Sequence, residues 1–180
     1  MLALNLKDYY NFKIIYDTDN DFKNEDEYLN AYIYYEKKYF PYEMISVFDM
    51  TLLSSFCISC NKQEIKINKN NISKIAFAGA CMMFHYVEKV KIVYDDDSYS
   101  YFKIHLDDMV NTSLNYKKTV FLKQKEEIND IKLLKTFKNL NNNINYYIYY
   151  DVIKTNKNKT IKSIILPDNE LMYILAITLI

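Results

Sequence analysis

Along much of this chain apolar and polar side chains alternate one for one, the period of an extended strand with one face in a core and the other in water. Gln63-Glu64-Ile65-Lys66-Ile67 sets Ile65 and Ile67 on one side and Glu64 and Lys66 on the other. Tyr101-Phe102-Lys103-Ile104-His105-Leu106 repeats the device, with Phe102, Ile104 and Leu106 inward and Lys103 and His105 outward, and Val90 to Tyr94 follows the same rule. Three runs are instead apolar on both phases: Ile45 to Leu53, the segment Ile72 to Gly79 from Ile75 onward, and Tyr173 to Leu179. Such runs predict strands covered on both faces. Ile144 to Ile153 places Ile144, Tyr146, Ile148 and Tyr150 on one phase and Tyr147 and Tyr149 on the other, a composition that suits a pleated surface. Asp21 to Tyr39 and Lys123 to Leu140 carry no clean period, and in the second a helical turn competes with irregular strand.

The connectors Asn68 to Asn71, Asp95 to Ser98, Asn139 to Asn143 and Thr155 to Lys159 hold Asn, Asp and Lys where turns commonly hold Gly. Asn and Asp tolerate the left-handed backbone that tight turns need, so a β protein with a single Gly is feasible. Short strands, frequent turn signals and the absence of long amphipathic helices between strands predict an all-β fold. The expected form is a two-sheet antiparallel β-sandwich or jelly roll, one domain spanning residues 1–180. No internal repeat or linker divides it.

Lys162-Ser-Ile-Ile-Leu-Pro-Asp-Asn169 is followed by Tyr173-Ile-Leu-Ala-Ile-Thr-Leu179. These segments resemble the closing strands of the galactose-binding-like β-sandwich modules found beside bacterial glycoside hydrolases, which often read K-S-I-x-L-P-x-N and then I-x-A-I-T-L. Upstream, Asn61 to Ile67, Ile72 to Ala80, Val90 to Ser98 and Ile104 to Asp108 match in the same order, with Leu6 to Asn11 and Phe40 to Glu43 fitting at the amino-terminal side. Two departures stand out: Asn61-Lys62-Gln63 replaces a usual Gly-Gln, and Asp96-Asp97-Ser98 replaces Asp-Gly-Ser. The resemblance implies the sandwich fold and a non-catalytic binding role. It transfers no sugar-contacting residue, because binding in these modules depends on loop chemistry.

Composition narrows the choice of partner. The 23 basic and 23 acidic residues balance, and every basic one is Lys. Without the planar Arg fork, bidentate reading of phosphate or guanine is not available, which disfavours nucleic acid. The start MLALNLKDYYNF has neither a basic n-region nor a continuous apolar h-region, so a cytoplasmic location is expected. The apolar run Leu171 to Ile180 is too short for a membrane helix, and no membrane partner is expected.

Candidate chemistry is sparse. Cys57-Ile-Ser-Cys60 has the spacing of half a zinc site, yet no second half accompanies it; with Cys81 it is expected to supply reduced structural thiols. Asp95-Asp96-Asp97 invites a calcium reading, but a solvated hairpin turn is the expectation. His105 beside Asp107 and Asp108 reads as a surface histidine rather than an acid/base cluster. His85, in Met83-Phe84-His85-Tyr86, lies between two strands in an aromatic setting and is a candidate ligand contact. The 19 tyrosines are the outlier. Tyr32, Tyr34 and Tyr35, or Tyr147 and Tyr149, are candidates for a flat platform on which a sugar ring or a protein packs. No catalytic residue, metal or cofactor is expected. The expected function is a non-catalytic binding module for carbohydrate, with a protein-protein interaction or homo-oligomeric scaffold as the alternative.

Overall fold

The computed structural model describes residues 1–13, 56–109, 132–138 and 145–180 of the 180. The expected strand at Ile45 to Leu53, the segment Asp21 to Tyr39 with Tyr32, Tyr34 and Tyr35, the Phe40 to Glu43 match and the Asn139 to Asn143 connector lie outside the described residues. Among the described residues there are eleven strands and one 3-10 turn, Lys7–Tyr9. The strands are β1 (Leu2–Ala3), β2 (Phe12–Lys13), β3 (Phe56–Asn61), β4 (Glu64–Lys69), β5 (Lys74–Cys81), β6 (Tyr86–Tyr94), β7 (Tyr99–Leu106), β8 (Lys132–Lys138), β9 (Asn145–Lys154), β10 (Ile161–Ile165) and β11 (Asp168–Leu179). The ambiguous stretch from Lys123 thus resolves to strand at β8. No helix among the described residues is long and apolar enough to cross a membrane.

These strands form two sheets, and every strand pairing is antiparallel. The first runs β2-β3-β11-β5-β9-β8, with β1 pairing the far end of β11; the second runs β4-β10-β6-β7. The molecule is therefore a two-sheet β-sandwich. Ile58, Ile75, Phe77, Ile148, Ile174 and Ile177 from the first sheet and Ile65, Val90, Ile92, Ile104 and Leu106 from the second belong to one buried core.

Strand β5 shows why its sequence is apolar on both phases. From Ile75 to Cys81 every residue is buried. Gly79 and Cys81 approach β7, where Leu106 stands; Ala76, Ala78 and Ala80, on the opposite phase, are equally buried. The first sheet is thus covered on both faces here, and β11 shares the pattern from Met172 through Leu179.

The two sheets exchange chain at neighbouring corners. β3 leads into β4 through Lys62-Gln63, and β10 leads into β11 through Leu166-Pro167, so strands adjacent in sequence enter different sheets. The corners hold each other: Lys62 N–H donates to the Pro167 carbonyl at 2.9 Å and Leu166 N–H to the Gln63 carbonyl at 3.0 Å. The Gln63 side chain closes the first corner, accepting from Asn61 N–H at 2.6 Å and donating to the Ser59 carbonyl at 2.7 Å.

The single Gly is not at a turn. Left-handed backbone falls instead on Lys62, Asn68, Asn71, Met83 and Asp97. For Asn and Asp this is mild, whereas Lys at φ 54° places its Cβ against a carbonyl oxygen. Lys62→Gly is expected to stabilise the protein by about 0.5–1 kcal/mol, the relief of the left-handed penalty less the added unfolded-state freedom. Its exposed 2.6 Å ion pair with Asp168 adds little to lose. Urea melts of the two proteins check this.

Candidate binding face

The outer face of the second sheet is built by the alternation read in β4, β6 and β7. Cross-strand partners lie in register, so two rungs can be followed across the sheet: Glu64, Ile165, Lys91, Tyr101, then Lys66, Ser163, Val93, Tyr99. Beyond them Lys89 stands directly opposite Lys103, and Val87 opposite His105. Because the inward positions Ile104 and Leu106 of edge strand β7 are fully buried, Tyr99, Tyr101 and Lys103 on its outward phase face water. Tyr99 is 56% and Tyr101 57% exposed, the rings meeting edge to face at 5.5 Å. Lys91 Nζ sits 4.2 Å from the centroid of the Tyr99 ring, a cation–π contact that fixes both. The result is two exposed aromatic rings on a rigid strand, with half-buried Val93 and Ile165 beside them and lysines around.

The residues singled out in the sequence take other places. Tyr149 is 7% exposed and its hydroxyl donates to the Asp108 carbonyl at 3.3 Å, while Tyr147 is half-buried. Tyr149 therefore offers no open ring. It does lie on the opposite phase from Ile148 and Tyr150, but both phases of β9 are covered at this point, with Ile148, Tyr149 and Tyr150 all buried. His85 lies in the turn between β5 and β6 with both ring nitrogens buried, next to the exposed side chains of Met83 and Phe84. Tyr99 and Tyr101, which the alternation alone does not single out, are the rings left open on this face. The available signal was a Tyr-x-Tyr on the polar phase of an alternating strand.

His105 corrects the expectation of a surface histidine. Its side chain is 15% exposed and Nδ1 lies 3.2 Å from Asp151 Oδ2, the same oxygen that accepts the His105 backbone N–H at 2.9 Å. Asp151 Oδ1 accepts from Val152 N–H at 2.7 Å. The carboxylate thereby joins edge strand β7 of one sheet to β9 of the other. His105 Nε2 is buried and forms no hydrogen bond among the described residues. Asp107 and Asp108 are buried, and Asp108 N–H donates to Asp107 Oδ1 at 2.8 Å. Around them the chain leaves β7 and lies against the end of β5: Cys81 N–H donates to the Asp107 carbonyl and Met109 N–H to the Cys81 carbonyl.

At the β6–β7 turn two of the three acidic side chains have counter-ions. Lys159 Nζ lies 2.7 Å from Asp96 Oδ2 and Lys162 Nζ 2.6 Å from Asp97 Oδ1, and the Ser98 hydroxyl donates to Asp96 Oδ1. The bond from Lys159, then that from Ser98, holds the Asp96 carboxyl down at about 2 from an ordinary 3.8. A lowered folded-state value means the ionised carboxylate favours the folded protein. That contribution is present above about pH 4 and is lost as pH falls toward 2. A carboxyl NMR titration of Lys159→Ala is expected to show the Asp96 midpoint returning toward 3.8.

Cys57, Cys60 and Cys81 are free thiols and buried. Loss of hydration pushes Cys57 up to about 12 and raises Cys60 and Cys81 as well, so the thiolate needed for metal binding or exchange is suppressed. Among the described residues no group of three or more His, Cys, Asp or Glu is placed to hold a metal ion. Compared with known proteins, the chain matches no family model and no curated protein.

Proposed function

We propose that this chain is a non-catalytic binding module of the galactose-binding-like sandwich type that takes a carbohydrate on the outer face of its second sheet. One observation carries the reading: Tyr99 and Tyr101 stand open to water, side by side on a strand whose other phase is locked in the core. Flat aromatic faces at fixed positions give a sugar ring a large contact area at low entropy cost. The absence of Arg continues to argue against nucleic acid as the ligand.

Two backbone positions support the family likeness. The departures from its pattern are Lys62, where the modules usually carry the Gly of Gly-Gln, and Asp97, where they carry the Gly of Asp-Gly-Ser. Both residues are left-handed here, at φ 54° and 59°, the conformation that Gly adopts without cost. The backbone at both positions is one that a Gly would adopt without cost.

Isothermal titration against a panel of oligosaccharides and polysaccharides tests the proposal. Tyr99→Ala and Tyr101→Ala are each expected to weaken binding about tenfold, in line with loss of an aromatic contact. The circular dichroism spectrum should not change, because neither ring is buried. A panel without a binder, or a double variant that binds like the parent, overturns it.

A second reading, a homo-oligomeric interaction protein, draws on Met83 and Phe84, 67% and 55% exposed at the β5–β6 turn. Sedimentation velocity showing a monomer at high concentration would remove that reading.

A further inference from the structure

We infer that two copies of this chain pair through the free edge of β7, strand against antiparallel strand, so that their second sheets join into one. The inference is independent of the carbohydrate reading. Strands β6 and β7 stay in unbroken register from Tyr86 opposite Leu106 to Val93 opposite Tyr99. One phase of β7 therefore keeps its backbone groups toward β6 and the other turns them away. Two hydrogen bonds fix which is which. The carbonyl of Ser98, just before the strand, accepts from Tyr94 N–H of β6 at 2.9 Å, whereas His105 N–H donates to Asp151 of β9, outside the second sheet, at 2.9 Å. The phase of His105 thus aims its N–H and C=O groups at the edge, and Tyr99 and Tyr101 share that phase.

Exposed strand edges are commonly plugged. On β4, the opposite edge of the same sheet, Lys66 N–H donates to the Tyr9 hydroxyl at 3.3 Å, and on β7 itself Asp151 closes His105. At Tyr99 and Tyr101 no group among the described residues takes up the edge-facing backbone. Such an edge accepts another extended backbone, and the sequence points to a second copy as the occupant. Tyr99-Ser100-Tyr101 reads the same in both directions, and a two-fold contact sets each strand against its own pattern reversed. With the axis at Ser100, Tyr99 of each copy exchanges both backbone bonds with Tyr101 of the other. The exposed rings then meet across the junction on the outer face, a favourable cross-strand pairing with no like charges opposed at its centre. The balanced charge of the chain sets no net repulsion against self-association.

In this register Ser100 stands opposite Ser100 of the second copy in a non-hydrogen-bonded pair, the Cα atoms about 4.5 Å apart, within reach of a disulfide. The full chain carrying Ser100→Cys and treated with diamide is therefore expected to form a covalent dimer about tenfold faster, or more, than one carrying Lys69→Cys on the exposed end of β4. The three native thiols are buried and stay out of the reaction. Sedimentation velocity should show a monomer–dimer equilibrium. The double variant Tyr99→Lys, Tyr101→Lys sets like charges opposite each other and should weaken it about tenfold or more, with an unchanged circular dichroism spectrum. The Tyr99 and Tyr101 amides should exchange fast in dilute protein and slowly in concentrated protein. A monomer at every concentration, or equal cross-linking of the two cysteine variants, overturns the inference. So does a dimer that survives the lysine changes but is lost in Met83→Ser, Phe84→Ser, which moves the contact to the β5–β6 turn. Amide protection at every concentration also overturns it, because another part of the same chain then holds the edge.

Discussion

Replacing Gly79 with alanine is expected to cost about 3 kcal/mol or more, the upper part of the range for overpacked cores. For a chain of this size that lowers the melting temperature by roughly 10 °C. A Cβ on Gly79 would lie 2.1 Å from the Tyr173 carbonyl oxygen and 2.9 Å from a methyl of Leu106. The leucine can turn aside, but the carbonyl belongs to β11, and its register against β5 slips between Ile174 and Ala176 just beyond this point. Relief therefore requires the two central strands of the first sheet to separate. Ala78→Gly, one residue away on the other phase, removes a methyl instead of adding one and should cost only about 1 kcal/mol. If Gly79→Ala melts with the parent while Ala78→Gly does not, the close approach of β5 to β11 is wrong.

Asp151→Ala should be nearly as damaging, at about 3 kcal/mol, because it leaves three donors without an acceptor where the sheets meet. They are the backbone N–H groups of His105 and Val152 and the ring Nδ1–H of His105. Asp151→Asn keeps one acceptor oxygen and is expected to lose less than half as much. Guanidinium melts give the magnitudes, and amide exchange locates the damage. In Asp151→Ala the His105 amide should exchange far faster than the amides of β5. Uniform protection in that variant would show that the carboxylate does not join the sheets.

The strands themselves could be read from the chain because a half-buried strand writes its environment as alternation. Ile65 is buried and Glu64 and Lys66 exposed in β4, as the period requires, and the two-faced apolar runs of β5 and β11 do lie between two covered surfaces. Allocation to sheets was hidden. Lys162 to Asn169 and Tyr173 to Leu179 look like one closing pair, yet β10 and β11 enter different sheets at Leu166-Pro167, and β11 begins at polar Asp168, well before the apolar run, because those residues pair with β3. Phase also says nothing about what lies beyond a face, which is why Tyr149 is inside while Tyr99 and Tyr101 are not. The Asp151–His105 joint links residues 46 apart in sequence across two sheets, a distance at which no local pattern operates.

Strand β11, at the end of the described chain, lies between β3 and β5 and also receives β1. Three strands made earlier thus wait on one made later, and long-range closure of this kind is slow. During translation Ile75 to Cys81 emerges from the ribosome well before either of its strand partners, β9 and β11, with two sticky sides and no cover. Slow expression at low temperature is therefore expected to raise the yield of folded protein, because it shortens the exposure of this strand relative to aggregation.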